Sequence, residues 1–168
     1  MIARLLRRLA QAFALVGSAL ALGVAVLTVA SVTLRALTTR PIQGDVELAQ
    51  FGIALAISLA VPWCQLRGAN IIVDFFTQRL PAASIRRLDG IGALLIAAMF
   101  ALLAWRTGVG AFAVHEAGET SMIRGLPMWW VYSSLAPGLA LAAGIATLQG
   151  LLLLRGRSID TLRGGVMA

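Results

Sequence analysis

Residues 9–34 read LAQAFALVGSALALGVAVLTVASVTL, and no charged side chain interrupts the run. A helix needs about 20 apolar residues to cross a hydrocarbon core of ~30 Å. Lipid offers no partner for exposed N–H and C=O groups, so such a run crosses as a helix. The preceding MIARLLRRLA resembles the charged start of a signal peptide, and Arg7-Arg8 a twin-arginine one. A signal core spans only about 7–15 residues, so the longer run reads as a retained first membrane helix.

Three further apolar stretches follow, giving expected spans at 9–34, 47–66, 88–112 and 127–154. The third has an uncharged core of 90–105, with Asp89 and Arg106 placed to reach the interfaces. Sustained alternation of apolar and polar residues, the mark of a barrel, is missing. The expected fold is an all-α integral membrane protein of four transmembrane helices, a single membrane domain over 1–168. Composition agrees: 60% of residues are hydrophobic and 12% charged, with mean hydropathy +0.89, whereas soluble domains carry about 25% charged residues.

All 14 basic residues are arginine. Their spread over the chain, without clustering on a soluble module, argues against nucleic-acid binding. They do set orientation. Ten (Arg4, Arg7, Arg8, Arg67, Arg79, Arg86, Arg87, Arg155, Arg157, Arg163) fall on one side of the expected membrane, and four (Arg35, Arg40, Arg106, Arg124) on the other. The ten-residue side reads as cytoplasmic, with both termini inside. Asp45, Glu47, Glu116 and Glu119 then lie outside. Between the second and third spans, NIIVDFFTQRL puts Ile71, Ile72, Phe75, Phe76 and Leu80 near one face, with Asn70 and Asp74 largely facing away. This predicts an amphipathic helix over 70–80 in the membrane interface, capped by Asn70 and ended by Pro81. Ser84 is placed to cap the third membrane helix.

The stretch GDVELAQFG, 44–52, opens the second span with two carboxylates. Helix chemistry is one account: Gly44 ends a turn, Asp45 caps, and Glu47 meets the positive end of the dipole. The other pairs Glu47 with Arg35, which closes the first helix at the same boundary. A proton or cation site would sit deeper in the membrane with polar neighbours. Pro62 should kink the second helix near Ser58. In RGLPMWWVY, 124–132, Pro127 suits the first helical turn, Trp129, Trp130 and Tyr132 suit an interfacial aromatic belt, and Pro137-Gly138 adds a bend. His115, Glu116 and Glu119 share a segment but read as surface or partner-facing polar residues. Small residues four apart (Gly17 and Ala21, Ala104 and Gly108, Ala140 and Gly144) allow close helix packing.

One cysteine and one histidine exclude an internal disulfide, a cysteine-based metal cluster and a bis-histidine haem within this chain. There is no phosphate-binding glycine loop and no membrane-centred carboxylate. No enzyme activity, cofactor or metal is expected; the chain reads as a subunit.

The ordered features are an Arg closing the first helix, GDVEL, RGANIIVDFF, RLP, GETSMIRGLPMWWVY and PG. The series resembles the small membrane subunit (Q subunit, DctQ-like small permease) of tripartite ATP-independent periplasmic transporters, from about Arg35 to Gly138. The family's Gly-x-x-Glu element falls on Gly44 and Glu47, and its Pro-x-Trp-x-x-Tyr element on Pro127, Trp129 and Tyr132. Asn70 stands where the family often has His, before the Ile-x-Val-Asp element that ends at Asp74. The resemblance implies a non-catalytic subunit in the bacterial inner membrane. It would scaffold a large M subunit and help dock a periplasmic binding protein for sodium-coupled uptake of an organic anion, commonly a carboxylate. Membrane lipids complete the expected partners. The alternatives are the small four-helix subunit of a tripartite tricarboxylate transporter and an autonomous small exporter.

Overall fold

A computed structural model describes residues 2–38, 42–68 and 81–156. Four helices account for most of them: α1 Ile2–Thr38, α2 Asp45–Arg67, α3 Ala82–Glu116 and α4 Met128–Leu154. All four are long and apolar enough to cross a membrane. The expected interfacial helix over 70–80, with Asn70 and Asp74, lies outside the described residues.

The 37 residues of α1 and the 35 of α3 make rods of about 50–55 Å at 1.5 Å per residue, well beyond a ~30 Å core. Both exceed their expected spans because apolar pattern marks only the part inside lipid. The N-caps differ from expectation. Gly44, with φ 73°, precedes α2, so Asp45 is the first helical residue rather than the cap. Pro81 precedes α3 and leaves Ser84 inside the helix. Pro127 is the residue before α4 rather than within its first turn.

The helices stand in the order α1–α2–α4–α3, with the inner pair α2 and α4 running the same way. We call the end with the α1–α2 and α3–α4 connections the loop end, and the other the terminal end. The α1–α2 seam follows residues seven apart. Ala10 and Gly17 are buried, Val24 touches Gly52, and Ser31 is buried against Asp45. A seven-residue period keeps one stripe of a helix against a nearly antiparallel neighbour. Gly17 brings the backbones together: a Cβ there would lie 2.8 Å from the Ala56 carbonyl oxygen. On the α3–α4 seam, Gly90 and Gly150 do the same, each in reach of the other's carbonyl and of Leu154 or Leu94.

Of the expected small-residue pairs, Gly17 meets a neighbouring helix. A Cβ on Gly108 or Gly144 would touch nothing within 4 Å. Spacing finds candidate faces, but which face meets a helix depends on the order of the row.

The largest fully buried side chains include Leu66, Ile145 and Pro62, and Leu66 and Ile145 pack with Ala10 near the terminal end. The outward faces of α1 and α3 remain apolar and exposed: Leu15, Leu22 and Val29 on α1, Leu95, Trp105 and Phe112 on α3. Exposed apolar area on this scale marks a surface covered by lipid or by another protein.

Candidate functional site

The first turn of α2 organises the loop end. Residues two apart on a helix point about 200° apart, so Asp45 and Glu47 face opposite neighbours. Asp45 turns to α1. Its Oδ2 accepts the Ser31 hydroxyl, and Ser31 Oγ in turn accepts the Ile42 N–H at 3.3 Å. Its Oδ1 accepts the Val46 N–H at 2.8 Å, and Arg35 stands close enough to act on the same carboxylate.

Glu47 turns to the α3–α4 connection. Its Oε1 accepts the Ile123 N–H at 2.8 Å and its Oε2 the Arg124 N–H at 3.3 Å. The expected Glu47–Arg35 pairing is replaced: Arg35 stands on the α1 side, where Asp45 points, and Glu47 points away from it. The two carboxylates thus divide the work, one tying α2 to α1 and the other tying it to the distant connection.

That connection is itself tightly built. Gly118 and Gly125 take φ 64°, a conformation that favours glycine. Ser121 N–H donates to the Leu126 carbonyl at 2.8 Å, and Met128 N–H to the Glu119 carbonyl at 3.1 Å. The buried Ser121 hydroxyl accepts the Leu126 N–H at 3.1 Å. Thr120 and Pro127 form a short antiparallel bridge. Arg124 reaches back across Gly44, and its Nε–H donates to the Gln43 carbonyl at 2.9 Å.

Trp129 stacks edge-on against His115 at 5.0 Å and against Trp130 at 5.7 Å, fixing the start of α4 to the end of α3. His115 therefore packs with an aromatic ring. Tyr132 lies beside Gly110 of α3. Arg35, Gly44, Asp45, Glu47, Pro127, Trp129 and Tyr132 thus all fall at or near the loop end.

Two polar contacts lie deeper in the bundle, and neither pairing is legible in the sequence, although Ser58 is marked there as the site of the Pro62 kink. Ser58 donates to the Leu135 carbonyl at 2.7 Å. Gln65 Nε2 donates to Gln149 Oε1 at 2.8 Å, while Gln149 Nε2 donates to the carbonyls of Gln65 and Leu66 at 3.0 and 3.3 Å. Both glutamines are buried, and the sign available in the sequence was an amide deep inside an apolar run: Gln65 near the end of the second, which also holds Gln50 at its start, and Gln149 in the fourth. The buried polar residues (Ser31, Ser58, Gln65, Ser121 and Gln149) are all uncharged among the described residues. Cys64 is exposed on α2, and the Arg67 guanidinium lies 4.8 Å above the Trp63 ring.

A comparison with protein families matches residues 24–156 to the family described as tripartite ATP-independent periplasmic transporters, DctQ component. Comparisons with curated proteins and with solved structures found no match.

Proposed function

The chain belongs to the DctQ family of tripartite ATP-independent periplasmic transporters, and on that footing we propose that it is the stationary frame of such a transporter. It is a multi-pass small permease subunit, from a family that works with a large M subunit and a periplasmic binding protein. In our reading it lies in the bacterial inner membrane with both termini cytoplasmic. It braces M and presents its loop end to the binding protein during cation-coupled uptake of an organic anion, most simply a carboxylate.

The observation that carries this reading is the cross-bracing of the loop end by Glu47. One side chain joins α2 to a connection 76 residues further along, where a moving element would need freedom. Among the described residues the buried polar groups are all uncharged, which supports a frame too, since a cation path would call for ionisable or clustered oxygen ligands inside the bundle. The apolar faces of α1 and α3 offer surface for a large membrane partner and for lipid. The arginine distribution supports the orientation, which places the braced end in the periplasm. Asn70 and Asp74 belong to the cytoplasmic side in this arrangement.

The test is purification of the tagged chain from native membranes. A much larger multi-helix permease should co-purify in fixed proportion. A stable, monodisperse protein recovered without one would overturn the proposal.

A further inference from the structure

Arg124 is exposed, yet it is held through both its backbone and its side chain. Its N–H donates to Glu47 Oε2, and its Nε–H to the Gln43 carbonyl. Its stem crosses Gly44, which is buried and has φ 73°. A Cβ at that position would lie 2.7 Å from Arg124 Cγ and 2.9 Å from Nε, so the stem occupies the space glycine leaves.

The bond at Nε leaves Nη1 and Nη2 without a hydrogen bond or ion pair to any described residue. An arginine side chain is rich in rotamers, and much of that freedom is ordinarily lost when it binds. Here the fold has already restrained the stem, while the two terminal amines keep the geometry that grips a carboxylate with two parallel bonds.

Next to it stand Met122, fully exposed, and Ile123, 61% exposed, on the backbone that Glu47 and Ser121 fix. A rigid apolar tip beside an oriented charge has the make-up of a small protein interface. The connection stands at the end of the bundle, before Trp129 and Trp130 at the start of α4. It crosses above α2, an inner helix of the row. That position favours a protein arriving from the aqueous side over a lipid headgroup.

We propose that Arg124 receives an aspartate or glutamate of the periplasmic binding protein through Nη1 and Nη2, with Met122 and Ile123 forming the apolar contact beside it. The proposal rests on the docking role given above and assigns that role to particular atoms. Arg124 is a binding residue on this account, and its backbone contacts with Glu47 are separate from that function.

The experiment uses the complex of this chain with its large subunit in neutral phosphatidylcholine nanodiscs, titrated with the binding protein from the same transporter. Affinity is read at about 50 and about 300 mM salt. Arg124→Gln should weaken docking about tenfold at low salt and remove most of the salt dependence, with complex yield unchanged. Arg124→Lys should recover part of the loss, since it restores the charge but not the fork. Gly44→Ala, which alters no charge, should weaken docking by displacing the stem. Wild-type affinity and salt dependence in Arg124→Gln would overturn the proposal.

A bulky maleimide on Met122→Cys, in a Cys64→Ser background, separates the two layers. If the label blocks docking while Arg124→Gln does not, the docking surface stands and the assignment to Arg124 falls. If neither matters, the docking role falls with it. If Arg124→Gln leaves docking intact but weakens association with phosphatidylglycerol vesicles, the guanidinium serves a lipid phosphate and the proposal is overturned.

Discussion

Gly138 of α4 lies directly against Ser58 of α2, too close for any side chain to stand between them. Pro62 has no N–H to give the Ser58 carbonyl, and that carbonyl faces Gly138 across the seam. The Ser58 hydroxyl meanwhile bonds the Leu135 carbonyl on α4. A proline in one helix and a proline-glycine pair in the next therefore meet at one place. The sequence pointed to both prolines and to Ser58; their meeting depends on α2 and α4 being neighbours.

Gly138→Ala is therefore expected to destabilise the bundle. Overpacking of this kind costs about 1–3 kcal/mol. Gly144→Ala, on the same helix with open space around it, should be nearly neutral or slightly stabilising. Thermal unfolding of the two variants in one detergent compares them directly. Equal melting temperatures would remove Gly138 from the seam.

The buried amides make a different kind of prediction. Gln149→Leu alone leaves Gln65 Nε2 and the carbonyls of Gln65 and Leu66 without the partners seen here. The expected loss is about 1–2 kcal/mol, in the range of hydrogen bonds between membrane helices. The double change to Leu at 65 and 149 should cost less than the sum of the singles. Strict additivity in the cycle would show that the two side chains do not act together.

Glu47→Gln keeps the shape of the side chain but removes the charge that strengthens its bonds to two backbone N–H groups. Membrane insertion should be unaffected. Hydrogen exchange at Ile123 and Arg124 should quicken, and yield of the complex or its transport should fall. Asp45→Asn should act instead on the α1 side, through Ser31. Unchanged exchange at 123 and 124 in the Glu47 variant would contradict the bracing.

Topology is open to a labelling test. With Cys64 replaced, cysteines at Gln43 and Glu119 should react with an impermeant maleimide added from the periplasm, while one at Asp74 should react only after permeabilisation. The reverse pattern would invert the orientation and move the docking surface to the cytoplasm.

The helices were legible because lipid imposes a simple length and polarity rule that residues 9–34 satisfy unaided. Membership of the transporter family was legible in the order of short motifs around Gly44, Glu47, Pro127 and Trp129. The partner of Glu47 was not. Choosing between Arg35 and the amides of Ile123 and Arg124 requires knowing that α2 stands between α1 and α4, which local pattern does not encode. Gln65 and Gln149 carry no local mark for the same reason: each is an amide within an apolar run, as Gln50 also is, and only their pairing across α2 and α4 gives them meaning.

The central claim is that this chain supports transport without carrying the substrate. Proteoliposomes under an imposed sodium gradient test it, using the organic acid that mass spectrometry finds on the purified binding protein. The chain alone should give no uptake, and the large subunit with binding protein should give uptake only when the chain is added. Uptake by the chain alone, or full uptake in its absence, would contradict the account.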